Sequence, residues 1–417
     1  MDARETATGF PEIRVPAALT FAGLVLGFAV GIALKDTATL GSILVFAEPA
    51  GSLWLRALQL TILPLVIGLV YTGISQTLAA AGGGRLARRA VGTFVVVLLG
   101  SGAMAAVLVP ALLEVFPIPS RAVAALSGGT VQAGKVPGFA EILAAMMPDN
   151  IFAAASNGAM LPVVIFASLF AVAATRIAEV PHRQLTLVFE GLAAAMMVVV
   201  GWVLMLAPVG VFGLAVSLGA KTGAGAIGGL AHYILIVSAA GGVVLLAAYG
   251  LALGMGGLRL GSFARAMLPV HAVAISTQSS LASLPAMLAA SRRLGVREAT
   301  ADFVLPLAVA IFRATSPAMN MGVAIYAAHL TGVTLTAPAL AAGVLVAFLV
   351  SLSSVSLPGT LSFVVSVGPV ANAMGVPIAP LALLVAVEML PDIMRTLGNV
   401  TMDVAVTAAV DRRGASA

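Results

Sequence analysis

The stretch Asp392-Ile393-Met394-Arg395-Thr396-Leu397-Gly398-Asn399-Val400-Thr401-Met402-Asp403 puts two acids, a base and an amide into the last long hydrophobic segment of the chain. Asp392, Arg395, Asn399 and Asp403 follow one another at i, i+3, i+7 and i+11. At 100° per residue they fall within an arc of about 80° and spread over roughly 16 Å of helix axis. The pattern is one polar stripe on an otherwise apolar helix. On insertion scales an ionisable group inside a span costs ~2.5–3.5 kcal/mol, so the stripe with Glu388 and Arg313 asks for compensation on the order of 10–15 kcal/mol. Groups at that cost persist by pairing with one another, as internal salt bridges between helices, or by binding something.

The rest of the chain explains why the stripe lies in lipid. Of 417 residues, 61% are hydrophobic and only 9% charged, which excludes a water-soluble surface. Charge-free apolar runs cover 15–34, 57–84, 90–113, 150–175, 191–220, 222–258, 266–291 and 303–312. Residues 314–387 then contain no Asp, Glu, Lys or Arg. With roughly 20 residues needed per crossing, about eight spans fit, and the last run is too long for one. The polar start, with Asp2, Arg4 and Glu5 ahead of an apolar stretch and no small-residue cleavage site, reads as a retained first span rather than a cleaved signal peptide.

The formal charge of +5 does not point to nucleic acid. Its basic residues cluster between apolar runs, at Arg85/Arg88/Arg89, Arg176/Arg183, Arg259/Arg265, Arg292/Arg293/Arg297 and Arg412/Arg413. That is the pattern of cytoplasmic loops, and with Arg4 and Arg14 it places both termini inside, in a multi-pass protein of the cell (inner or plasma) membrane. The chain has no cysteine, and His182, His232, His271 and His329 lack metal-ligand spacing. No cofactor and no metal site are expected. Gly223-Ala-Gly225-Ala-Ile-Gly228 spells a dinucleotide fingerprint but has no strand before it and no acid about twenty residues later. Asn399-Val-Thr401 spells a glycosylation site inside a span. Without a Gly-x-Ser-x-Gly elbow or a His-Glu-x-x-His helix, an intramembrane enzyme has no support.

Two interruptions mark the C-terminal third: Ser276-Thr277-Gln278-Ser279-Ser280, and Ser351 to Gly359 with its Leu357-Pro358-Gly359 ending. Lipid cannot satisfy non-helical backbone, so both read as tips of re-entrant hairpins lining a cavity, although Ser and Gly can also simply let helices pack closely. Each is followed by a full span, about 302–328 and 376–410. Interruptions at corresponding positions of two repeats point to a midplane substrate site.

These motifs resemble the dicarboxylate/amino acid:cation symporters, which include the glutamate transporters. The similarity runs over nearly the whole chain. It rests on Leu63-Pro64-Leu65-Val66, Met147-Pro148-Asp149-Asn150-Ile151-Phe152 with Asn157-Gly158 and Leu161-Pro162, Ala207-Pro208-Val209-Gly210-Val211-Phe212, the serine-rich tip from Thr277 to Pro285, Leu357-Pro358-Gly359 and the stripe itself. The resemblance implies an all-α membrane protein, one integrated domain over 1–417, with eight transmembrane helices plus two re-entrant helical hairpins. It also implies a homotrimer, in which a scaffold (15–78 and 140–220) holds a transport domain (88–115 and 225–411) that moves like an elevator. Asp392 would hold a substrate ammonium and Arg395 a side-chain carboxylate, bidentately. Relatives that carry dicarboxylates without an amino group look different at the Asp392 position. Thr396, Asn399, Ser279, Ser280, Ser316, Ser354, Ser356 and Gly359 would complete the substrate site. Aspartate or glutamate is the leading substrate; cystine, a neutral amino acid or a C4-dicarboxylate are the alternatives, and a channel is the rival from another class.

The chain departs from the family in one respect. Where relatives carry Asn-Met-Asp-Gly-Thr in the seventh helix, it reads Phe312-Arg313-Ala314-Thr315-Ser316, and the third span has Val97 and Gly100 in place of oxygen-bearing side chains, leaving Ser101. Sodium needs oxygen ligands, which phenyl and methyl groups lack. Arg313 is therefore expected to act as a tethered cation paired with Asp403, making transport sodium-independent, either proton-coupled or exchanging. Glu388, one turn before Asp392, is the candidate proton carrier, since desolvation favours the neutral carboxyl. Pro391 is expected to kink the last helix beside the site.

Overall fold

A computed structural model describes residues 16–35, 37, 39–120, 123, 147, 149–157, 159–222, 225–353 and 359–415. Among them there is no strand. In chain order the helices are α1 (Ala17–Ala33), α2 (Thr39–Gly82), α3 (Arg85–Val115), α4 (Ile151–Ser156), α5 (Met160–Ala174), α6 (Glu179–Met205), α7 (Ala207–Thr222) and α8 (Gly225–Gly254), followed by α9 (Leu260–Thr277), α10 (Ser280–Arg293), α11 (Glu298–Ile311), α12 (Ser316–Thr331), α13 (Ala337–Ser353), α14 (Gly359–Ala373), α15 (Leu381–Leu384), a 3-10 turn (Val385–Val387) and α16 (Met389–Ala415).

Five described segments are long and apolar enough to cross a membrane: Thr39–Gly82, Arg85–Val115, Glu179–Met205, Ile227–Gly254 and Glu298–Thr331. α16 is not one of them, because the polar stripe lowers its hydropathy. Several apolar runs and helices do not share their limits, two of them for plain physical reasons. α2 begins 18 residues before position 57, since Glu48 and Arg56 interrupt the apolar reading without interrupting the helix. The run 191–220 is two helices, broken at Leu206 just before Pro208, whose ring cannot continue the α6 hydrogen-bond ladder.

α1 packs along α7, and α2 along α5, α6 and α7. The first contact is a close backbone approach: a Cβ on Gly23 would lie 2.6 Å from the Pro208 carbonyl oxygen, and one on Gly27 2.6 Å from that of Phe212. α3, α8, α12 and α16 form a second group, joined by the antiparallel pairs α9/α10 and α13/α14 and by α11. α12 lies at its centre with only His329 outside the buried set, as befits a helix that is apolar all round.

α9 and α10 meet at a tight turn. Gln278 takes the left-handed conformation (φ 49°) and Ser279 caps α10, its hydroxyl accepting from the Ala282 N–H at 3.2 Å. The second serine tip, 354–358, lies outside the described residues. So do Pro148 and Gly158 of the resemblance motifs, while Asn150 caps α4 by accepting from Phe152 and Ala153 N–H groups. Pro391 does not kink a continuous helix. It sits in the first turn of α16, where a missing N–H costs little, and the preceding helix has already given way to the 3-10 turn.

Candidate functional site

Every buried charged side chain among the described residues belongs to one locus: Arg313, Glu388, Asp392, Arg395 and Asp403. The breaks in two helices gather them. α11 ends at Ile311 and α12 starts at Ser316, leaving Phe312 to Thr315 between them; Glu388 stands at the junction of the 3-10 turn and α16.

Arg395 is the hub. Its Nη2 donates to Glu388 Oε1 at 2.6 Å and its Nη1 to Asn320 Oδ1 at 3.1 Å, with both charged side chains at most 1% exposed. Asp392 Oδ1 lies 3.2 Å from Nε, close enough for an ion pair but not aligned for a hydrogen bond. Glu388 uses its other oxygen to accept from the Tyr233 hydroxyl at 2.9 Å. Asn320 also receives the Ser366 hydroxyl at 3.3 Å, so α14 reaches the same cluster.

A second knot ties the α11–α12 break to α16. Thr315 N–H donates to Asn399 Oδ1 at 2.9 Å, and the Thr315 hydroxyl lies 2.7 Å from the same oxygen and 3.0 Å from the Arg395 carbonyl. Gly398 permits this approach, because a Cβ there would collide with the Thr315 methyl. Asn399 is thus occupied in holding the broken helix.

Arg313 has Asp392 and Asp403 as its attractive charges and Arg395 as a repulsive one. Asp403 is fully buried, and neither carboxylate oxygen has a hydrogen-bond partner among the described residues. Electrostatic attraction rather than a hydrogen-bonded bridge therefore links it to Arg313. Beside Arg313 the α11–α12 break is aromatic: the Phe312 ring stacks on Phe94 of α3 with centroids 4.3 Å apart. Val97, Gly100 and Ser101 instead line a cavity of about 230 Å³ with Met104, Val244 and Met402 among its other walls, and the Ser101 hydroxyl is turned onto its own helix at Leu98.

Of the other candidate residues, the Thr396 hydroxyl bonds back to the Asp392 carbonyl and the Ser279 hydroxyl is spent on its cap. Ser280 is buried beside it on α10, a helix that packs on α16. Ser316 is buried with a hydroxyl that has no hydrogen-bond partner among the described residues, and neither has the Nδ2 of Asn320. Gly359 opens α14, and Ser354 and Ser356 lie outside the described residues. Buried orphan polar atoms around a guanidinium are what a ligand would satisfy.

Sequence reading missed Tyr233, Asn320 and Ser366. Asn320 carried a usable signal, being the one amide between Ser316 and Thr331; Tyr233 carried none, since a tyrosine in a span is ordinary.

Comparison with known proteins gives the family. A family model described as the sodium:dicarboxylate symporter family matches residues 17–413. The chain belongs to that family. It is an integral membrane transporter, not an enzyme. Its similar relatives include a proton/sodium-glutamate symport protein of Bacillus subtilis (strain 168), 27% identical over 91% of this chain and 88% of the relative. A C4-dicarboxylate transport protein 1 of Pseudomonas aeruginosa (strain UCBPP-PA14) is 25% identical over 94% and 86%, and a proton/glutamate-aspartate symporter of Escherichia coli (strain K12) is 27% identical over 85% and 82%.

Proposed function

We propose that this member of the symporter family carries an acidic amino acid, aspartate or glutamate, together with a proton and without sodium. The observation that carries the reading is the fully buried Glu388–Arg395 pair at 2.6 Å. The guanidinium that would receive the substrate's side-chain carboxylate is already held by an internal one. Two guanidiniums face three carboxylates at this locus, a formal charge of −1 with every group ionised. A substrate carboxylate can take Arg395 only if Glu388 gives it up, and a second buried anion there is tolerable only if Glu388 is neutralised. Protonation of Glu388, with the Tyr233 hydroxyl as its remaining partner, meets both conditions.

Asp392 would then pair with the substrate ammonium and the orphaned Ser316 and Asn320 groups would bond the bound molecule. Arg313, beside the Phe94–Phe312 stack, would supply fixed positive charge where relatives bind sodium. The architecture we infer is eight spans and two hairpins in the cell membrane with both termini cytoplasmic. The α1–α2–α5–α6–α7 group would be the scaffold of a homotrimer, and the group around α12 the moving domain of an elevator. A C4-dicarboxylate is the second reading, favoured by the Pseudomonas relative's name and by the proximity of Asp392 to Arg395, which reduces the charge left for an ammonium.

The test is uptake of labelled aspartate into proteoliposomes with a proton gradient, a sodium gradient or none. The wild type should accumulate aspartate on the proton gradient alone, and Glu388→Gln should lose accumulation while still exchanging aspartate across the membrane. Strong sodium dependence of the wild type would refute the coupling scheme. Lack of competition by unlabelled aspartate or glutamate, against cystine, a neutral amino acid and a C4-dicarboxylate, would refute the acidic assignment.

A further inference from the structure

One buried side chain of the site, Tyr233, is itself held from the side of the molecule read as external. Next to it on α8, His232 bridges three elements: its Nε2 lies 3.0 Å from the Phe116 carbonyl oxygen at the end of α3, and its Nδ1 lies 3.1 Å from the Tyr326 hydroxyl on α12. That hydroxyl in turn donates to the Gly229 carbonyl at 3.0 Å. The Tyr326 ring meets the Tyr233 ring edge-on, centroids 5.3 Å apart, and the Tyr233 hydroxyl ends on Glu388.

The proton count of this cluster depends on the imidazole. A carbonyl only accepts, so Nε2 carries a hydrogen toward Phe116. Tyr326 has a single proton for two acceptors. With neutral His232 it must choose between Nδ1 and Gly229, and one contact is lost. With the imidazolium, Nδ1–H donates to Tyr326, Tyr326 donates to Gly229 and every contact is a hydrogen bond. At this end of the elements around His232 the other titratable groups are Glu114 of α3, exposed, and His329 of α12, exposed and bonded to the Ile325 carbonyl of its own helix; Arg85, Arg88 and Arg89 stand at the opposite end of α3 and Tyr249 near the far end of α8, and behind Tyr233 α16 contributes Glu388, Asp392 and Arg395. α7 brings none among the described side chains; α9 carries Arg265, whose Nε donates to the Gly261 carbonyl of its own helix, and His271, whose Nε2 lies 2.8 Å from the Thr401 hydroxyl of α16.

We propose that His232 and Tyr326 are positioning residues for proton-coupled loading: protonated His232 fixes Tyr326, whose ring holds Tyr233 where it can keep Glu388 once the substrate has taken Arg395. The proposal rests on the reading of Glu388 as the proton carrier. External acidity would then act twice, at Glu388 and at this outer cluster.

The experiment measures KM for aspartate in proteoliposomes at external pH 5.5 and 7.5 for the wild type, His232→Gln, Tyr326→Phe and the double variant. Each single variant should raise KM about 3- to 10-fold more at pH 5.5 than at pH 7.5, the worth of one hydrogen bond, and the double variant should do no more. A ratio of variant to wild-type KM that is equal at the two pH values, or additive effects in the double variant, would overturn the proposal. Tyr326→Phe keeps the ring and its packing, so it decides the matter if His232→Gln does not fold. Glu388→Gln separates the two ideas. If it still accumulates aspartate on a proton gradient, the reading beneath is wrong; if it does not and the KM ratios are flat, only the role of His232 is.

Discussion

Removing one partner of a buried ion pair strands the other, and that asymmetry makes the Arg313–Asp403 relation measurable. Asp403 has no hydrogen-bond partner among the described residues, so the charge of Arg313 is the compensation it can draw on. Arg313→Met should destabilise the purified protein on the order of 3–5 kcal/mol, and adding Asp403→Asn should recover part of that loss, with a coupling of at least about 1 kcal/mol between the two changes. Thermal midpoints of the four proteins close the cycle. Additive losses would mean that Arg313 serves Asp392 instead, and the tethered-cation idea would go with them. At this scale much of the site was legible: ionisable residues in an apolar helix stand out because each must be compensated, and the i, i+3, i+7, i+11 spacing put four on one face. What spacing could not reveal is pairing. Arg395 reads as a substrate ligand, yet in the fold it is held by Glu388 from one turn and by Asn320 from another helix, a contact 75 residues distant in sequence.

Among elements, the last helix is pinned at both ends. Its inner turns are tied to the α11–α12 break through Thr315, and its far end to the α10–α11 turn, where Asp411 accepts from the Arg297 side chain at 2.6 Å and from the Thr300 hydroxyl at 2.7 Å. Asp411 lies about two turns beyond Asp403, past the polar stripe and near the end of α16. Partial burial pushes its carboxyl up, but the Thr300 hydroxyl and Arg297 outweigh that and hold it below the ordinary carboxylate value. A group depressed in the folded state stabilises above its unfolded value and loses that contribution as pH falls through the folded one. The wild type should therefore melt above Asp411→Asn by a constant margin from pH 8 to 5, and the margin should close as pH drops below about 4. A margin unchanged down to pH 3 would show that the carboxylate is not the stabilising group. The break between α9 and α10 was legible from its serines, because a run of Ser and Thr favours a cap and a turn over continuing an apolar helix. The 44-residue α2 was not, since Glu48 and Arg56 look like span ends when charge alone sets the limits.

For the whole molecule, the decisive question is whether the group around α12 slides against the α1–α2–α5–α6–α7 group. The two meet where α14 and α13 pack on α2 and α5, and there Gly368 approaches Ile62: a Cβ on the glycine would lie 3.4 Å from the isoleucine Cδ1. The chain has no cysteine, so Ile62→Cys with Gly368→Cys introduces the only two thiols, near enough for a mercuric ion to bridge. If the groups move as an elevator, bridging should abolish aspartate uptake and a thiol reductant should restore it, while either single cysteine leaves uptake insensitive to mercury. Uptake that continues in fully bridged protein would mean that transport proceeds with these helices in fixed register. The substrate would then cross by local gating at the hairpin tips, and the separation into scaffold and moving group would have no mechanistic meaning.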